Sequence, residues 1–456
     1  IENNGEIWSW TPNFNSASST PTKCVITAKD NGNPSMSSNM TISVTVIDSV
    51  CRLNLLVASG KGKITTNPSG SDFTPGTNIK ITAVPDKDYV FKSWSGDIGN
   101  ASFREEISII MNKDRNITAH FVKLSESLVL DIGECLIHGS LFLDGYYFLS
   151  TDRVPAKLMR VNANDLSDYQ TITFSSELEG IGQIVYSEPK RKLYVAFETY
   201  NGLVIGEIDP WTLAFDESKV YDSTNKGHGF ITLATEGDYL YTTSYYGTSL
   251  FKPYTSIQKY SLKTMSSTPI ASLKLDSACI SGHSMQISNG ILYVTGVSKP
   301  PWIVKIRTSD MKLIQKKKNI DVDGGYTDDF AVTDNYMFLG PECMNTSSYS
   351  GVIHRVSLND ISNIFSISTG IKKGAPGLCY GVYFDGTFVW AVFATAPGIL
   401  TKINPNSLKY TNYELDFDFP NEILSDGNRL LVTYWESDPA IIQAFDLKYL
   451  EGKEIN

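Results

Sequence analysis

Apolar residues along this chain fall into short runs with a period of two, and the helical period of 3.6 is almost absent. Thr41-Ile42-Ser43-Val44-Thr45-Val46 alternates polar and apolar side chains, as a half-buried strand does. Similar runs, bounded by Gly, Asn, Asp and Pro, recur to the end of the chain and are filled by Tyr, Phe, Thr, Val and Ile. Side chains of these shapes pack well on pleated surfaces, so the pattern predicts an all-β protein. Its texture changes twice. Residues 1–50 are rich in Ser, Thr and Asn, residues 51–123 form a compact stretch, and residues 124–456 are repetitive.

One unit of the repetitive part reads as a short strand, a tight turn, a strand of aromatic and aliphatic residues, a variable loop, and a third strand ending near Asp or Asn. A fourth strand often follows. The turn and second strand return seven times, from Leu143-Asp144-Gly145-Tyr146-Tyr147-Phe148 through Ser288-Asn289-Gly290-Ile291-Leu292-Tyr293 to Ser425-Asp426-Gly427-Asn428-Arg429-Leu430. Third strands such as Ile303-Val304-Lys305-Ile306-Arg307 and Leu400-Thr401-Lys402-Ile403-Asn404 track them. The spacing between Gly145 and Gly427 averages 47 residues, the period of a four-stranded propeller blade. No fourth strand is evident after the seventh unit. Glu126-Ser127-Leu128-Val129-Leu130-Asp131, ahead of the first unit, parallels the outer strand Ala271-Ser272-Leu273-Lys274-Leu275-Asp276. Residues 126–131 are therefore expected to complete the seventh blade beside 441–447 and close the ring, removing an unpaired sheet edge.

Three stretches resemble known families. Trp8-Ser9-Trp10-Thr11-Pro12, followed by Cys24-Val25-Ile26-Thr27-Ala28-Lys29-Asp30-Asn31-Gly32, resembles the C-terminal half of a cadherin-like or immunoglobulin-like module. That resemblance implies one calcium ligand at Asp30, but the acidic linker that would complete such a site is missing, and a turn-forming Asp is the competing reading. Gly76-Thr77-Asn78-Ile79-Lys80-Ile81-Thr82-Ala83-Val84-Pro85, Tyr89-Val90-Phe91-Lys92-Ser93-Trp94-Ser95-Gly96-Asp97 and Ile117-Thr118-Ala119-His120-Phe121 together resemble the divergent internalin-type B-repeat over 51–123. In that module Trp94 and Phe91 are expected to supply the apolar area a small sheet needs. The seven units resemble propellers of the YVTN or quinoprotein-like type. The three likenesses imply a secreted or surface prokaryotic protein, with small modules as a stalk and the propeller as a recognition head.

Charge sharpens this picture. With 39 Lys and Arg against 49 Asp and Glu, the net charge is −10, which argues against a nucleic-acid partner. No apolar run approaches the length of a transmembrane helix. Six cysteines are too few for a disulfide scaffold, although Cys24 and Cys51 are placed where one bridge is conceivable. The chain begins at Ile1, inside the first module, so it is expected to be a piece of a longer protein.

No nucleophile elbow, phosphate loop or zinc-protease helix occurs, so no catalytic residue is assigned. Three histidines precede the first strand of a unit: His138, His228 and His283. Neutral imidazoles are common zinc ligands, so these three are candidate metal ligands at the channel mouth; a blade signature bonding nearby backbone is the competing reading. The same offset from the turn selects Asp328 in the fifth unit and Cys379 in the sixth. Asp328 and Asp329, with Asp321 and Asp323, are candidate calcium or glycoside-chemistry carboxylates, as are Asp416, Asp418 and Glu422; a solvated loop competes. Tyr245, Tyr246 and Tyr254, in a loop that lengthens the third unit, and Trp302 after two prolines, are candidate exposed aromatics for sugar or protein recognition. The function expected is extracellular or cell-surface binding of protein or carbohydrate, with adhesion or self-assembly. The alternative is a propeller-channel enzyme, a metal-dependent lyase or glycosidase.

Overall fold

The computed structural model describes residues 22–455 apart from 45–49, 99–103, 131–136, 152–153, 179, 200–201, 217–220, 223–231, 249–250, 265, 277–278, 280–281, 297–300, 319–325, 343–350, 372–377 and 435–439. The chain forms two compact units, residues 1–123 and 124–456. Among the described residues no helix is long and apolar enough to cross a membrane.

In the first unit, Thr22–Lys29 pairs with Ser37–Val44 as an antiparallel hairpin. Asp30 forms its turn: the carboxylate accepts the backbone N–H of Gly32 at 3.1 Å and of Met36 at 2.8 Å. That is the turn-forming role weighed against calcium.

Residues 51–123 fold into two sheets. Asp72–Phe73, Cys51–Ser59, Arg115–Lys123 and Tyr89–Gly96 lie in that order, and Gly62–Asn67, Thr77–Pro85 and Glu106–Met111 form the other. The period of two becomes burial directly: in Glu106–Met111, Ile107, Ile109 and Met111 point inward while their neighbours are exposed. Trp94 is buried and its indole N–H donates to the Arg104 carbonyl at 2.8 Å. Phe91 packs against it with ring centres 5.2 Å apart. Cys24 and Cys51 are both free thiols, so no bridge joins them; Cys51 is buried in the core with Trp94, whereas Cys24 sits exposed on the hairpin.

The second unit is a ring of seven antiparallel sheets; blades 1 to 5 are built from strands consecutive in the chain, and blades 6 and 7 each take one strand from elsewhere. The inner strands of blades 1 to 7 are Ile137–Leu143, Ile181–Ser187, Leu233–Glu236, Gly282–Ser288, Tyr326–Val332, Leu378–Phe384 and Pro420–Ser425. Each touches the inner strand of the next blade, and the seventh touches the first, so the ring is closed. Ser125–Val129 pairs antiparallel with Ile441–Asp446, with Ser125 opposite Phe445 and Val129 opposite Ile441, completing blade 7 as expected. The two residues Glu454–Ile455 add a fifth strand to blade 6, pairing with Tyr410–Glu414.

The second strands explain the aromatic-rich runs. They are buried on both faces: in Tyr146–Thr151, Tyr147 and Leu149 pack toward blade 7, while Phe148 packs toward blade 2. Val389–Ala394 is buried at every position. Seven such apolar clusters lie among the described residues, one at each blade-to-blade interface. Stability is therefore distributed around the ring rather than held in one centre.

Candidate functional site

The inner strands carry a shared irregularity. In blades 1, 2, 4, 5, 6 and 7 the pairing with the second strand slips by one residue near the start of the inner strand. Such β-bulges put two residues opposite one and re-aim a side chain. The extra residue is His138 in blade 1, His283 in blade 4, Asp328 in blade 5 and Tyr380 in blade 6. In blades 2 and 7 the irregular step spans Gly182-Gln183 and Asn421-Glu422.

Bulge residues of blades 1, 2, 4, 6 and 7 line one cavity of about 360 Å³ in the ring: His138, Gln183, His283, Tyr380, Asn421 and Glu422, together with Ser140, Gln286 and Asp329. Its walls are tied by hydrogen bonds that run from blade to blade. The Ser150 hydroxyl donates to the Ile181 carbonyl at 3.1 Å, and Gln183 Oε1 accepts the Leu233 N–H at 2.8 Å. Thr243 donates to the Gly282 carbonyl at 3.2 Å, and Gln286 Oε1 accepts the Val332 N–H at 3.2 Å. Asp329 accepts the Val382 N–H at 3.0 Å, and Asn421 Nδ2 donates to the Ile137 carbonyl at 2.6 Å. The Ser140 hydroxyl donates to Glu422 at 3.1 Å across the first and last blades. The mouth is thus a polar ring whose walls are held from blade to blade by these side chains.

Asp329 belongs to the wall. Besides Val382 its carboxylate accepts the Phe330 N–H at 2.8 Å and the Ser284 hydroxyl at 3.3 Å, which occupies both oxygens. Asp328 is on the bulge itself. His138 and His283 line the same cavity, whereas His228, Asp321 and Asp323 lie outside the described residues. Among the described residues no three His, Cys, Asp or Glu side chains are grouped closely enough to hold a metal. Of the remaining carboxylates, Glu422 faces the cavity. Asp416 does not: burial works against its charge, but hydrogen bonds from Lys453, Tyr449 and Gln443 outweigh that and hold the carboxyl below its usual range.

Three expectations change on structural grounds. Trp302 is fully buried between blades 3 and 4, so it is not an exposed recognition aromatic; it sits opposite Gly296, whose missing side chain leaves room for the indole. Tyr245, Tyr246 and Tyr254 are not in an irregular loop. The second and third strands of blade 3 simply extend, Tyr239–Thr248 against Phe251–Ser261, with Tyr245 opposite Thr255 and Tyr246 opposite Tyr254. The Lys274 ammonium sits 3.7 Å from the centre of the Tyr254 ring. In blade 6 the bulge residue is Tyr380 rather than Cys379, which is buried in the packing between blades 5 and 6. The Cys279 thiol of blade 3 is also buried, and burial, with the Asp276 charge nearby, pushes it up to about 11, leaving it inert at neutral pH. Nothing in the residue pattern marks the bulges, or the roles of Gln183, Gln286, Tyr380 and Asn421.

No curated protein matches the chain. Among solved structures, the computationally designed Ika8 protein is similar at 9% identity and a TM-score of 0.45, covering 70% of this chain and 98% of its own. BamB from Moraxella catarrhalis is similar at 13% identity and a TM-score of 0.45, covering 69% of this chain and 84% of its own. The propeller is established by the closed ring of four-stranded sheets itself. Residues 54–125 match the family model of the divergent InlB B-repeat domain, so the chain joins a module of that kind to a seven-bladed β-propeller.

Proposed function

We propose that this is an extracellular or cell-surface binding protein of a prokaryote, with the propeller as its recognition head. Residues 1–50, read as part of a cadherin-like or immunoglobulin-like module, and the B-repeat at 51–123 serve as its stalk. The observation that carries the proposal is the convergence of bulge residues from separate blades, His138, His283, Tyr380 and Glu422, on one polar cavity. A cavity of about 360 Å³ is at the small end of the 300–1,000 Å³ typical of ligand pockets. Imidazoles, a phenol and a carboxylate around it suit a polar group carried on a larger partner, a sugar unit or an exposed protein loop. The extended hairpin of blade 3, with Tyr245, Tyr246 and Tyr254, offers a further contact for such a partner. Surface plasmon resonance over immobilised cell-surface polysaccharides and proteins tests this. Binding that drops in His283→Ala and Glu422→Gln supports the mouth as the site; a ligand bound equally by both variants rejects it.

An enzymatic role is favoured by one observation: His138 and His283 share that cavity with the carboxylate Glu422. Zinc or calcium measured in the purified protein decides it. A metal retained unchanged by the His138→Ala, His283→Ala double variant excludes the histidines as ligands.

A further inference from the structure

One third-strand position is cationic in five of the seven blades. It holds Arg160, Lys259, Lys305, Arg355 and Lys402 in blades 1, 3, 4, 5 and 6, each paired with an aromatic residue of the second strand. Three of these cations staple their blade to the next. Arg160 donates to the Pro210 carbonyl at 3.1 Å, Lys259 to Thr308 at 2.8 Å and Lys305 to Leu358 at 2.5 Å, in each case a carbonyl in the turn after the next blade's third strand. Arg355 is held between the Tyr336 and Phe365 rings, at 4.3 and 5.8 Å.

Lys402, like Arg355, makes no such staple, and at Lys402 the ring closure changes what the next blade offers. The next blade is the seventh, whose fourth strand comes from Ser125–Val129. After its third strand the chain enters the short 3-10 helix Leu447–Leu450 instead of the usual turn. Among the described residues the Lys402 ammonium meets no carbonyl or carboxylate; it lies 3.9 Å from the centre of the Phe388 ring and 5.3 Å from that of Trp390. It lines a groove of about 320 Å³ together with Lys409, Tyr410, Tyr413, Ser407 and Thr411. Lys409 is exposed and has no ion-pair partner among the described residues. On a chain of net charge −10, two uncompensated ammonium groups beside tyrosine rings stand out.

We propose that this groove on blade 6 binds an acidic sugar unit of the hexuronic-acid class. The lysines meet the carboxylate, the aromatic rings cover the apolar face of the sugar ring, and the hydroxyls of Ser407 and Thr411 pair with its hydroxyl groups. The site is separate from the channel mouth and stands or falls without it.

Calorimetric titration of the whole chain with glucuronate, glucose and inorganic phosphate tests the proposal. Glucuronate should bind at least fivefold more tightly than glucose or phosphate, and raised salt should weaken it. Lys409→Gln, an exposed change that leaves packing intact, and Lys402→Gln should each lower glucuronate affinity at least fivefold. Glu422→Gln in the channel mouth should leave it unchanged, which separates this site from that one. Equal binding of glucose would remove the role of charge, and equal binding of phosphate would reduce the groove to a general anion site. Affinity unaffected by both lysine substitutions, or an acidic peptide that binds more tightly than glucuronate, would overturn the proposal.

Discussion

Substituting Glu126 tests how the ring is held shut. The Arg429 side chain in blade 7 is 1% exposed, and its Nη1 and Nη2 atoms have no hydrogen-bond partner among the described residues. Among the described residues two carboxylates compensate it from slightly beyond hydrogen-bond reach: Glu126 of the closing strand at 3.8 Å and Asp426 at 3.7 Å. Asp426 is already engaged, accepting the Tyr147 hydroxyl of blade 1 at 2.9 Å and the Arg429 backbone N–H at 2.7 Å. At that separation and an effective dielectric near 20, one charge pair is worth about 4 kcal/mol. Glu126→Gln removes the charge and keeps the shape and a dipole, so a loss of about 2–3 kcal/mol is expected. Taking both partners away behaves differently, because a buried ion pair replaced by apolar groups of similar volume is often neutral or stabilising. The Glu126→Gln, Arg429→Met double variant should therefore be more stable than Glu126→Gln alone, with a coupling of about 1.5 kcal/mol or more. Urea unfolding of residues 124–456, followed by tryptophan fluorescence, supplies all four corners of the cycle. Additive losses, or a Glu126→Gln variant as stable as the parent, would show that the buried guanidinium does not depend on the closing strand.

Other consequences are as direct. A Cβ added at Gly296 would lie 2.2 Å from the Trp302 ring, so Gly296→Ala should cost about 1–3 kcal/mol by overpacking; an unchanged urea midpoint would refute that placement of the indole. Asp329→Asn should lower stability by about 1–3 kcal/mol by weakening the clasp between blades 5 and 6, while a fully stable variant would mark Asp329 as a ligand group instead. In blade 2, Asp209 is held well below its ordinary value of 3.8, first by the hydrogen bond from Lys192 and then by those from the Thr212 and Trp211 turn. Its lowered folded value means that it contributes stability above about pH 4 and loses it progressively as pH falls toward that value. The stability gap between parent and Asp209→Asn should thus be full at pH 6 and narrower at pH 3, and a gap that widens on acidification would contradict the sign.

The ring, its closure and the B-repeat were legible because each rests on repetition or on burial of alternate residues. Residues 441–446 lacked a following partner, and 126–131 had the texture of one. The site was less legible. Counting back from each turn treats all turns as equal, yet Leu143 pairs with Tyr146 across two residues, whereas Phe384 pairs with Val389 across four. Gly386 is the second residue of its loop and Asn335 the third of an equivalent one, so the same count reaches the bulge at Asp328 but stops one short at Cys379. Trp302, a tryptophan after two prolines, has the sequence of a loop tip; only the facing Gly296 reveals an interior position. The two-residue strand Glu454–Ile455 is too short to carry any periodicity.

The closing strand also imposes a schedule on synthesis. Ser125 and its hydrogen-bonded partner Gln443 are separated by 318 positions. A ribosome that has made the strand must produce six further blades, and most of a seventh, before its partner emerges. Until then Ser125–Val129 and the growing blades present open sheet edges, and such non-local pairings form late. Between the two strands the nascent propeller is an arc, and Ile441–Asp446 converts that arc into a ring.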